Sequence, residues 1–320
     1  MINVLQKIKT IYSELNETSM EASQLEGFSD IDLLEYISVK NENKIPTNSF
    51  DEFLRYIYIN SGLDYRKVPY FEKLNPIVLS NRENIVIFKK PAQLGATTYF
   101  TCLFAYYFIK FRMPMLYVSV DENKISIIKN NLSIFLKNLG IDILIKEHEF
   151  LLTNIGIIYF AYSTSAKTFR SKPAAYVFID EAAAMPTNIG GEGDVISLAL
   201  ARTTTYSNMR KIFVFSAPTV DNTFFENYYY KGERFFVFQN KCSVCGTFFE
   251  PAVNDIANDN NFKCPKCLNN INWIQSCNDG EWREVKKENN LRKITTFLRI
   301  HQRRKKFSTK TMENMLILKK

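Results

Sequence analysis

The segment "IVIFKKPAQLGATTYF", residues 85–100, has the residue types and spacing of a phosphate-binding loop between a strand and a helix. The usual form of such a loop is Gly-x-x-x-x-Gly-Lys-Ser/Thr, in which backbone amides and the lysine hold phosphate oxygens. Gly95 and Thr97 occupy the positions of the second glycine and the hydroxyl. Ala96 stands where the lysine belongs, and Lys90 stands where the first glycine belongs. The residues alone leave two interpretations open: a nucleotide site whose lysine has moved, or an unrelated strand-turn-helix.

A pair of carboxylates follows a second apolar run. In "AAYVFIDEAAAM" the run ends directly in Asp180 and Glu181. A buried strand that ends in two carboxylates suits a P-loop NTPase, in which the first carboxylate holds Mg²⁺ and the second activates the attacking water. The alternative is an ordinary exposed acidic turn. Because the carboxyl ends of parallel strands meet at one edge of a sheet, we expect the pair to lie beside the loop.

A third apolar run, "IFVFSAPT", ends in small and hydroxylated residues. These are Ser216, Ala217, Pro218 and Thr219. At a neighbouring strand tip such side chains can sense the γ-phosphate and relay its loss. Taken alone, the run is equally compatible with any strand-to-loop turn.

Four cysteines form two Cys-x-x-Cys pairs near the end of the chain. Cys242 and Cys245 are separated from Cys264 and Cys267 by 18 residues. This spacing can place four thiolates tetrahedrally around Zn²⁺, so it predicts a zinc ribbon. Disulfides are the alternative, and they are disfavoured in a cytoplasmic chain.

The elements that would position these residues alternate between strands and helices. The predicted strands are 85–88, 115–120, 156–163, 174–180 and 211–219, and the predicted helices are 97–112 and 124–140. Short, continuously apolar strands between helices predict an α/β fold, a P-loop NTPase with a mostly parallel sheet covered on both faces. The predicted organisation is an N-terminal helical segment (1–45), an ATPase domain (46–235), a ribbon segment (236–285) and a basic tail (286–320).

Composition indicates a globular protein whose positive charge is concentrated at one end. The 320 residues are 46% hydrophobic and 23% charged, with a net charge of +8. Residues 283–320 hold 13 Lys and Arg against 3 Asp and Glu. Such a tail can attract nucleic acid, or it can be a solvated end. With neither a secretory signal nor a membrane span visible, the sequence predicts a cytoplasmic protein with no membrane partner.

The run from 169 to 246, "FRSKPAAYVFIDEAAAMPTNIGGEGDVISLALARTTTYSNMRKIFVFSAPTVDNTFFENYYYKGERFFVFQNKCSVCG", resembles the large subunit of phage terminase, of the lambda (GpA) type. An apolar strand ending in Asp-Glu, a "GEGD" segment, an "ARTTT"-like stretch, a strand ending Ser-x-Pro-Thr and a Cys-x-x-Cys occur in the family's order. The resemblance extends over about residues 45–282, and "KPAQLGAT" matches the family's deviant loop, Lys-x-Ala-x-x-Gly-x-Ser/Thr. Many family members also carry a lysine at the position of Ala96.

The resemblance implies a role for each motif. Lys90 would supply the phosphate-binding charge, Thr97 and Asp180 would hold Mg²⁺, and Glu181 would orient the water. Arg170 or Arg202 could act as an arginine finger, in cis or from a neighbouring subunit, and either could instead form a structural ion pair. Residues 216–219 would couple hydrolysis to motion. The nucleotide-binding set is Lys90, Pro91, Ala92, Gln93, Leu94, Gly95, Ala96, Thr97 and Thr98, with Tyr70 near the adenine.

The resemblance further implies an ATP-hydrolysing motor that moves double-stranded DNA into a procapsid in the cytoplasm of a bacterial host. Its cofactors would be ATP, Mg²⁺ and Zn²⁺. Its partners would be DNA, a small terminase subunit, the procapsid portal and further copies of the chain. The family's nuclease half is expected to be absent, since residues 283–320 offer three glutamates and no aspartate. The alternatives are an impaired prophage remnant that binds without turnover, and a helicase-like DNA-dependent ATPase.

Overall fold

The computed structural model describes most of the chain from residue 45 to residue 285. The described residues are 45–60, 69–81, 84–89, 96–217, 225, 234–250, 256–258 and 261–285. Residues 1–44 of the predicted N-terminal segment, the basic tail and the core of the predicted phosphate loop, residues 90–95, lie outside them.

Among the described residues, seven helices precede, separate or follow the strands. They are α1 (Phe50–Asn60), α2 (Pro69–Glu72), α3 (Asn75–Val78), α4 (Ala96–Phe111), α5 (Glu122–Asn138), α6 (Val195–Arg202) and α7 (Trp273–Asn278). Short 3₁₀ turns cover Ala166–Phe169, Ala182–Ala184 and Thr204–Tyr206.

The strands form one large sheet and two small ones. The large sheet has the order β1-β7-β6-β2-β5-β4-β3, made of β1 (Ile85–Lys89), β2 (Met115–Ser119), β3 (Ile143–Lys146), β4 (Phe150–Thr153), β5 (Gly156–Tyr162), β6 (Tyr176–Asp180) and β7 (Lys211–Ser216). The small sheets have the orders β13-β8-β9 and β10-β11-β12, made of β8 (Phe235–Lys241), β9 (Phe248–Phe249), β10 (Ile256–Asn258), β11 (Asn261–Lys263), β12 (Asn270–Asn272) and β13 (Glu281–Val285).

The large sheet is mostly parallel, as the sequence predicted. β1 runs parallel to β7, and β2 runs parallel to β5. The hairpin formed by β3 and β4 is the exception, because β4 is antiparallel to β5 and β3 is antiparallel to β4. The prediction missed this hairpin.

The chain divides into two compact units. The first includes the described residues of Met1–Leu63, Thr101–Phe178 and Ile196–Arg210. The second includes those of Asp64–Phe100, Ile179–Val195 and Lys211–Lys320.

Local sequence signals set the helix ends in the first unit. The Ser49 hydroxyl accepts a hydrogen bond from Glu52 N at 3.3 Å, as the capping-box spacing predicts. Asp121 caps α5 by accepting from Lys124 N at 2.9 Å. After α5, Gly140 takes a φ of +75°, and Ile141 N donates back to Leu136 O. A glycine in this left-handed conformation is the usual way to end a helix, and α5, predicted over 124–140, ends at Asn138, two residues before Gly140.

Candidate active site and cysteine cluster

The strand that precedes the predicted phosphate loop, β1, ends beside the end of β7. Both strands belong to the second unit, and their parallel register places Lys89 opposite Ser216. β1 therefore ends at the edge of the sheet where β7 ends, and Lys90 is the next residue in the sequence. The loop residues 90–95, which include most of the predicted phosphate ligands, lie outside the described residues.

The helix after the loop starts at Ala96. This alanine is buried, whereas Thr97 is exposed and Thr98 is half-buried. The exposed hydroxyl of Thr97 in the first turn of α4 has the chemistry of a magnesium ligand.

Aromatic packing holds the start of α4 in place. Phe100 stacks on Phe215 of β7 with ring centroids 4.3 Å apart and planes 1° from parallel. Tyr99 stacks on Phe71 of α2 at 4.6 Å, and its hydroxyl donates to Asn75 Oδ1 at 2.7 Å. These rings anchor the helix to the strand and to the segment that contains Tyr70, whose side chain lies outside the described residues. The sequence analysis did not single out these anchoring residues.

The carboxylate pair lies where β6 ends. Asp180 is the last residue of β6 and is only 7% exposed. A buried carboxylate needs donors or a cation close by, and oxygen ligands of this type are those that Mg²⁺ prefers. This environment fits a magnesium ligand.

Glu181 follows Asp180 in an unusual backbone conformation. Its φ and ψ are 58° and 37°, which is the left-handed region. For a residue with a Cβ this conformation costs about 1 kcal/mol or more. Glu181 N donates to Phe215 O at 2.9 Å, and Ala183 N donates to Ser216 Oγ at 3.0 Å. The turn after β6 is thus attached to the end of β7 by two hydrogen bonds.

The predicted coupling and arginine residues are only partly described. Ser216 is buried and Ala217 is half-buried, while Pro218 and Thr219 lie outside the described residues. Arg170 is exposed, and Arg202 is half-buried. Both arginines belong to the first unit, whereas Asp180 and Glu181 belong to the second. The role of each arginine stays a prediction.

The four cysteines of the two pairs, here called the cysteine cluster, come together. The sulfur atoms of Cys242, Cys245, Cys264 and Cys267 all lie within 4.8 Å of one another. Cys242 Sγ lies 3.8 Å from Cys267 Sγ, and Cys245 Sγ lies 3.7 Å from Cys264 Sγ. Four sulfurs bound tetrahedrally to zinc at about 2.3 Å would be about 3.8 Å apart. The cluster therefore has the dimensions of a tetrahedral thiolate site.

Two turns of matching geometry present these sulfurs. In the first, Cys242 N donates to Thr247 O and Gly246 N donates to Cys242 O. In the second, Cys264 N donates to Asn269 O and Leu268 N donates to Cys264 O, with the same spacing. Each turn connects two antiparallel strands, β8 with β9 and β11 with β12. The residue that follows the second cysteine of each pair has a positive φ.

The surroundings of the sulfurs favour thiolates at Cys245 and Cys267, the two less buried cysteines of the cluster. Thr247 Oγ1 lies 3.3 Å from Cys245 Sγ, and hydrogen bonding to it lowers the pKa of Cys245 to about 6. Hydrogen bonding to Asn269 also lowers the pKa of Cys267. Burial has the opposite effect at Cys264 and raises its pKa to about 11. A bound cation would favour the thiolate at all four positions.

The two remaining cysteines stand apart from the cluster. Cys102 in α4 and Cys277 in α7 are both buried, and burial raises the pKa of each thiol to about 12. Protonated, buried thiols are poor ligands and poor nucleophiles.

The ribbon segment packs against the strand that precedes the loop. Trp282 of β13 contacts Phe238 of β8 and Phe88 of β1, with ring centroids 5.7 and 6.2 Å away. Lys73 donates hydrogen bonds to the carbonyls of Asn278 and Gly280. The sequence offered no signal for these contacts beyond the presence of a large aromatic residue in "DGEWREV".

No helix in the described part of the chain is long and apolar enough to cross a membrane. No curated protein matches the chain in sequence.

Several solved structures are similar to this chain. The ATPase domain of the Thermus phage P74-26 large terminase aligns at 11% identity with a TM-score of 0.42, over 57% of this chain and 74% of that one. The HK97 bacteriophage large terminase aligns at 12% identity with a TM-score of 0.40, and the alignment covers 48% of this chain and 34% of that one. The N-terminal domain of the DNA packaging ATPase from bacteriophage phi29 aligns at 13% identity with a TM-score of 0.34, and the alignment covers 49% of this chain and 86% of that one.

One protein family matches by sequence. Its model describes the ATPase domain of the phage terminase large subunit gpA, and it matches residues 145–282. The matched segment contains Asp180, Glu181, Ser216 and all four cysteines of the cluster, and the phosphate loop precedes it. In residues 145–282 this chain is thus similar in sequence to the ATPase domain of the phage terminase large subunit gpA.

Proposed function

We propose that this chain is the ATP-hydrolysing motor of a phage DNA-packaging terminase. The family match supports the packaging role. The observation that carries the ATPase role is the strand edge of the second unit, where β1, β7 and β6 end. There Lys89, the last residue before the predicted loop, lies opposite Ser216, and the turn that contains Glu181 is hydrogen-bonded to the end of β7.

Each residue at this edge has a role in the proposal. Lys90 and the amides of the loop hold the β- and γ-phosphates of ATP, with Tyr70 near the adenine. Glu181 accepts the proton of the attacking water and aims it along the line of displacement. Thr97 and Asp180 hold Mg²⁺, which when bound neutralises charge on the phosphate oxygens. Arg170 or Arg202, in cis or from a neighbouring subunit, would stabilise the transition state.

Zinc is the metal we propose for the cysteine cluster. Four thiolate ligands with no open position are typical of a structural zinc site. The exposed Cys245 and the half-buried Cys267 complete a cluster whose other two members are buried. The metal would hold the two turns together, and it would take no part in hydrolysis.

The proposed substrate of the motor is double-stranded DNA. The small terminase subunit and the procapsid portal are its proposed partners, and further copies of the chain would act with it in the host cytoplasm. The basic sequence of residues 286–320 can contact the phosphate backbone. Deleting residues 290–320 should then weaken DNA binding and flatten its dependence on salt, because fewer counterions would be released.

An ATPase assay with Lys90→Ala tests the proposed function. The purified chain should hydrolyse ATP in the presence of Mg²⁺ and DNA, and Lys90→Ala should abolish turnover. Lys137→Ala is the matched control, because Lys137 is exposed in the last turn of α5 and should keep the parent rate. Lys89 would be a poor control, since it is buried at the end of β1.

Other outcomes would select the alternatives. Nucleotide binding without turnover in the parent protein would contradict the motor and favour an impaired remnant. A gain of turnover in Ala96→Lys would then trace the impairment to the loop. Strand separation without capsid components would favour a helicase.

A further inference from the structure

We propose that Ser216 is a positioning residue for Glu181. Its hydroxyl would hold the turn after β6 so that the glutamate keeps its left-handed backbone conformation. This inference rests on the proposed ATPase function and deepens it. It gives Ser216 a role in the hydrolytic step that differs from sensing the γ-phosphate.

The hydroxyl of Ser216 is committed to protein atoms. Its oxygen accepts from Ala183 N at 3.0 Å, and its proton is donated to Ala217 O at 3.0 Å. The side chain is only 2% exposed. A hydroxyl whose proton and one acceptor site are already used inside the protein is suited to bracing a turn rather than to binding a ligand.

The braced turn is the one that carries Glu181. Ala184 N donates to Glu181 O at 3.0 Å, and Met185 N donates to Ala182 O at 3.1 Å, so residues 181–185 form a tight hydrogen-bonded turn. One bond to β7 runs from Glu181 N to Phe215 O, and another runs from Ala183 N to Ser216 Oγ. The second depends on a side chain, the Ser216 hydroxyl.

The backbone strain at Glu181 is the reason why the Ser216 hydroxyl matters. A glutamate at a φ of 58° persists only while its surroundings oppose relaxation to the right-handed or extended region. If the hydroxyl is removed, the bond from Ala183 N is lost and the turn can relax. The Glu181 carboxylate would then leave the position from which it activates water, while the loop that binds the phosphates is unaltered.

The test compares three serine variants. Ser216→Ala removes the hydroxyl, and Ser216→Thr keeps it and adds one methyl group. Ser119→Ala is the matched control, because Ser119 is also a fully buried serine at the end of a parallel strand, and its hydroxyl has no hydrogen-bond partner among the described residues. For each variant, kcat, the Kd of a non-hydrolysable ATP analogue and the hydrogen–deuterium exchange of residues 181–185 are measured.

We expect Ser216→Ala to lower kcat by about tenfold or more, since a small misplacement of a catalytic group is costly. Its Kd should stay within about twofold of the parent value, because the phosphate ligands are not altered. Exchange of residues 181–185 should speed up. Ser216→Thr should restore both kcat and slow exchange, and Ser119→Ala should behave like the parent protein.

Two results would overturn the inference. One is a parent-like kcat in Ser216→Ala, and the other is an equal loss of kcat and of nucleotide affinity, which would indicate general damage to the site. A parent protein without turnover would contradict the proposed function instead. In that case the exchange rates of Ser216→Ala and Ser119→Ala still decide whether the hydroxyl holds the turn.

Discussion

The cysteine cluster takes its four sulfur atoms from two turns of the same backbone geometry, whereas the strand edge takes its residues from three strands that are far apart in sequence. In the cluster, each pair of ligands is placed by hydrogen bonds within five residues. At the edge, Ser216 and the turn that contains Glu181 meet because β6 and β7 are neighbours in the sheet, and β1 pairs with the other side of β7.

This difference predicts different responses to mutation. A site built from local turns should fail by losing its metal and its stability together, since metal binding free energy is folding free energy. A site assembled at a sheet edge should lose its chemistry while the fold survives, because each strand is held by its own apolar packing. The effects of mutations in the two regions can therefore be told apart by measuring both ATP turnover and stability for each variant.

The largest effect is expected for Glu181→Gln. The amide cannot accept a proton from water, so ATP turnover should fall about a thousandfold, or about 4 kcal/mol of activation free energy. The melting temperature and the affinity for the nucleotide should stay near those of the parent. Steady-state hydrolysis and calorimetric binding measure the two quantities. Glu281→Gln, an exposed carboxylate of β13, is the control, and Glu181→Gln with parent-like turnover would require a different base.

Cys264→Ser should have the next largest effect, on stability. Cys264 is fully buried, and losing it should remove the metal and lower the free energy of unfolding by about 3 kcal/mol or more. Metal analysis and thermal unfolding test this expectation. Lys266→Ala changes an exposed residue of the same turn and should keep one metal per chain. Parent protein purified without chelator and found to be metal-free would refute the site itself.

A smaller loss of stability is expected for Gly280→Ala. A Cβ at this position would lie 2.6 Å from Gln239 O and 2.9 Å from the Phe238 ring, so β13 would have to move away from β8. We expect a cost of about 2 kcal/mol from overpacking, with the metal retained. Denaturant unfolding measures the loss of stability, and metal analysis shows whether the metal is retained. Together they distinguish a packing defect at β13 from a loss of cysteine ligation. An unchanged midpoint would show that β13 is free to shift.

The smallest effects concern the left-handed residues of the two turns. Gly246 has a φ of 69° and Leu268 has a φ of 59°. Nothing lies within 4 Å of a Cβ at Gly246, so Gly246→Ala should cost about 1 kcal/mol through backbone strain alone. Leu268→Gly relieves the same strain and should stabilise the protein by a few tenths of a kcal/mol, since glycine also favours the unfolded chain. Opposite shifts in melting temperature would confirm that the turns are equivalent, and shifts of the same sign would contradict it.

The hairpin of β3 and β4 shows what the pattern of apolar residues could not predict. Each strand has only four residues, and a charged segment, Glu147–Glu149, separates them. Lys129 of α5 is buried and donates to Glu147 O at 2.9 Å, and the buried Lys172 pairs with Glu149 Oε2 at 3.2 Å. The lysines that stabilise this turn lie outside the hairpin, so the sequence of the hairpin itself does not predict it.

The sequence by itself determined which residues could form each site. Apolar runs ending in Asp180 and Ser216 predicted buried strands and their carboxyl ends, and both strands are present. The spacing of the cysteines predicted their convergence, since a turn of a few residues has few conformations and sets its own ligand positions. These inferences needed only local geometry.

Only the tertiary structure decided what lies beside what. The pairing of β7 with β1, the attachment of the Glu181 turn to Ser216 and the packing of Trp282 on Phe88 all join residues that are remote in sequence. Such contacts arise from the burial of whole strands against one another, and the choice among possible neighbours depends on the packing of the complete core. A single chain's pattern of apolar and polar residues does not specify that choice, because every buried strand presents nearly the same apolar surface.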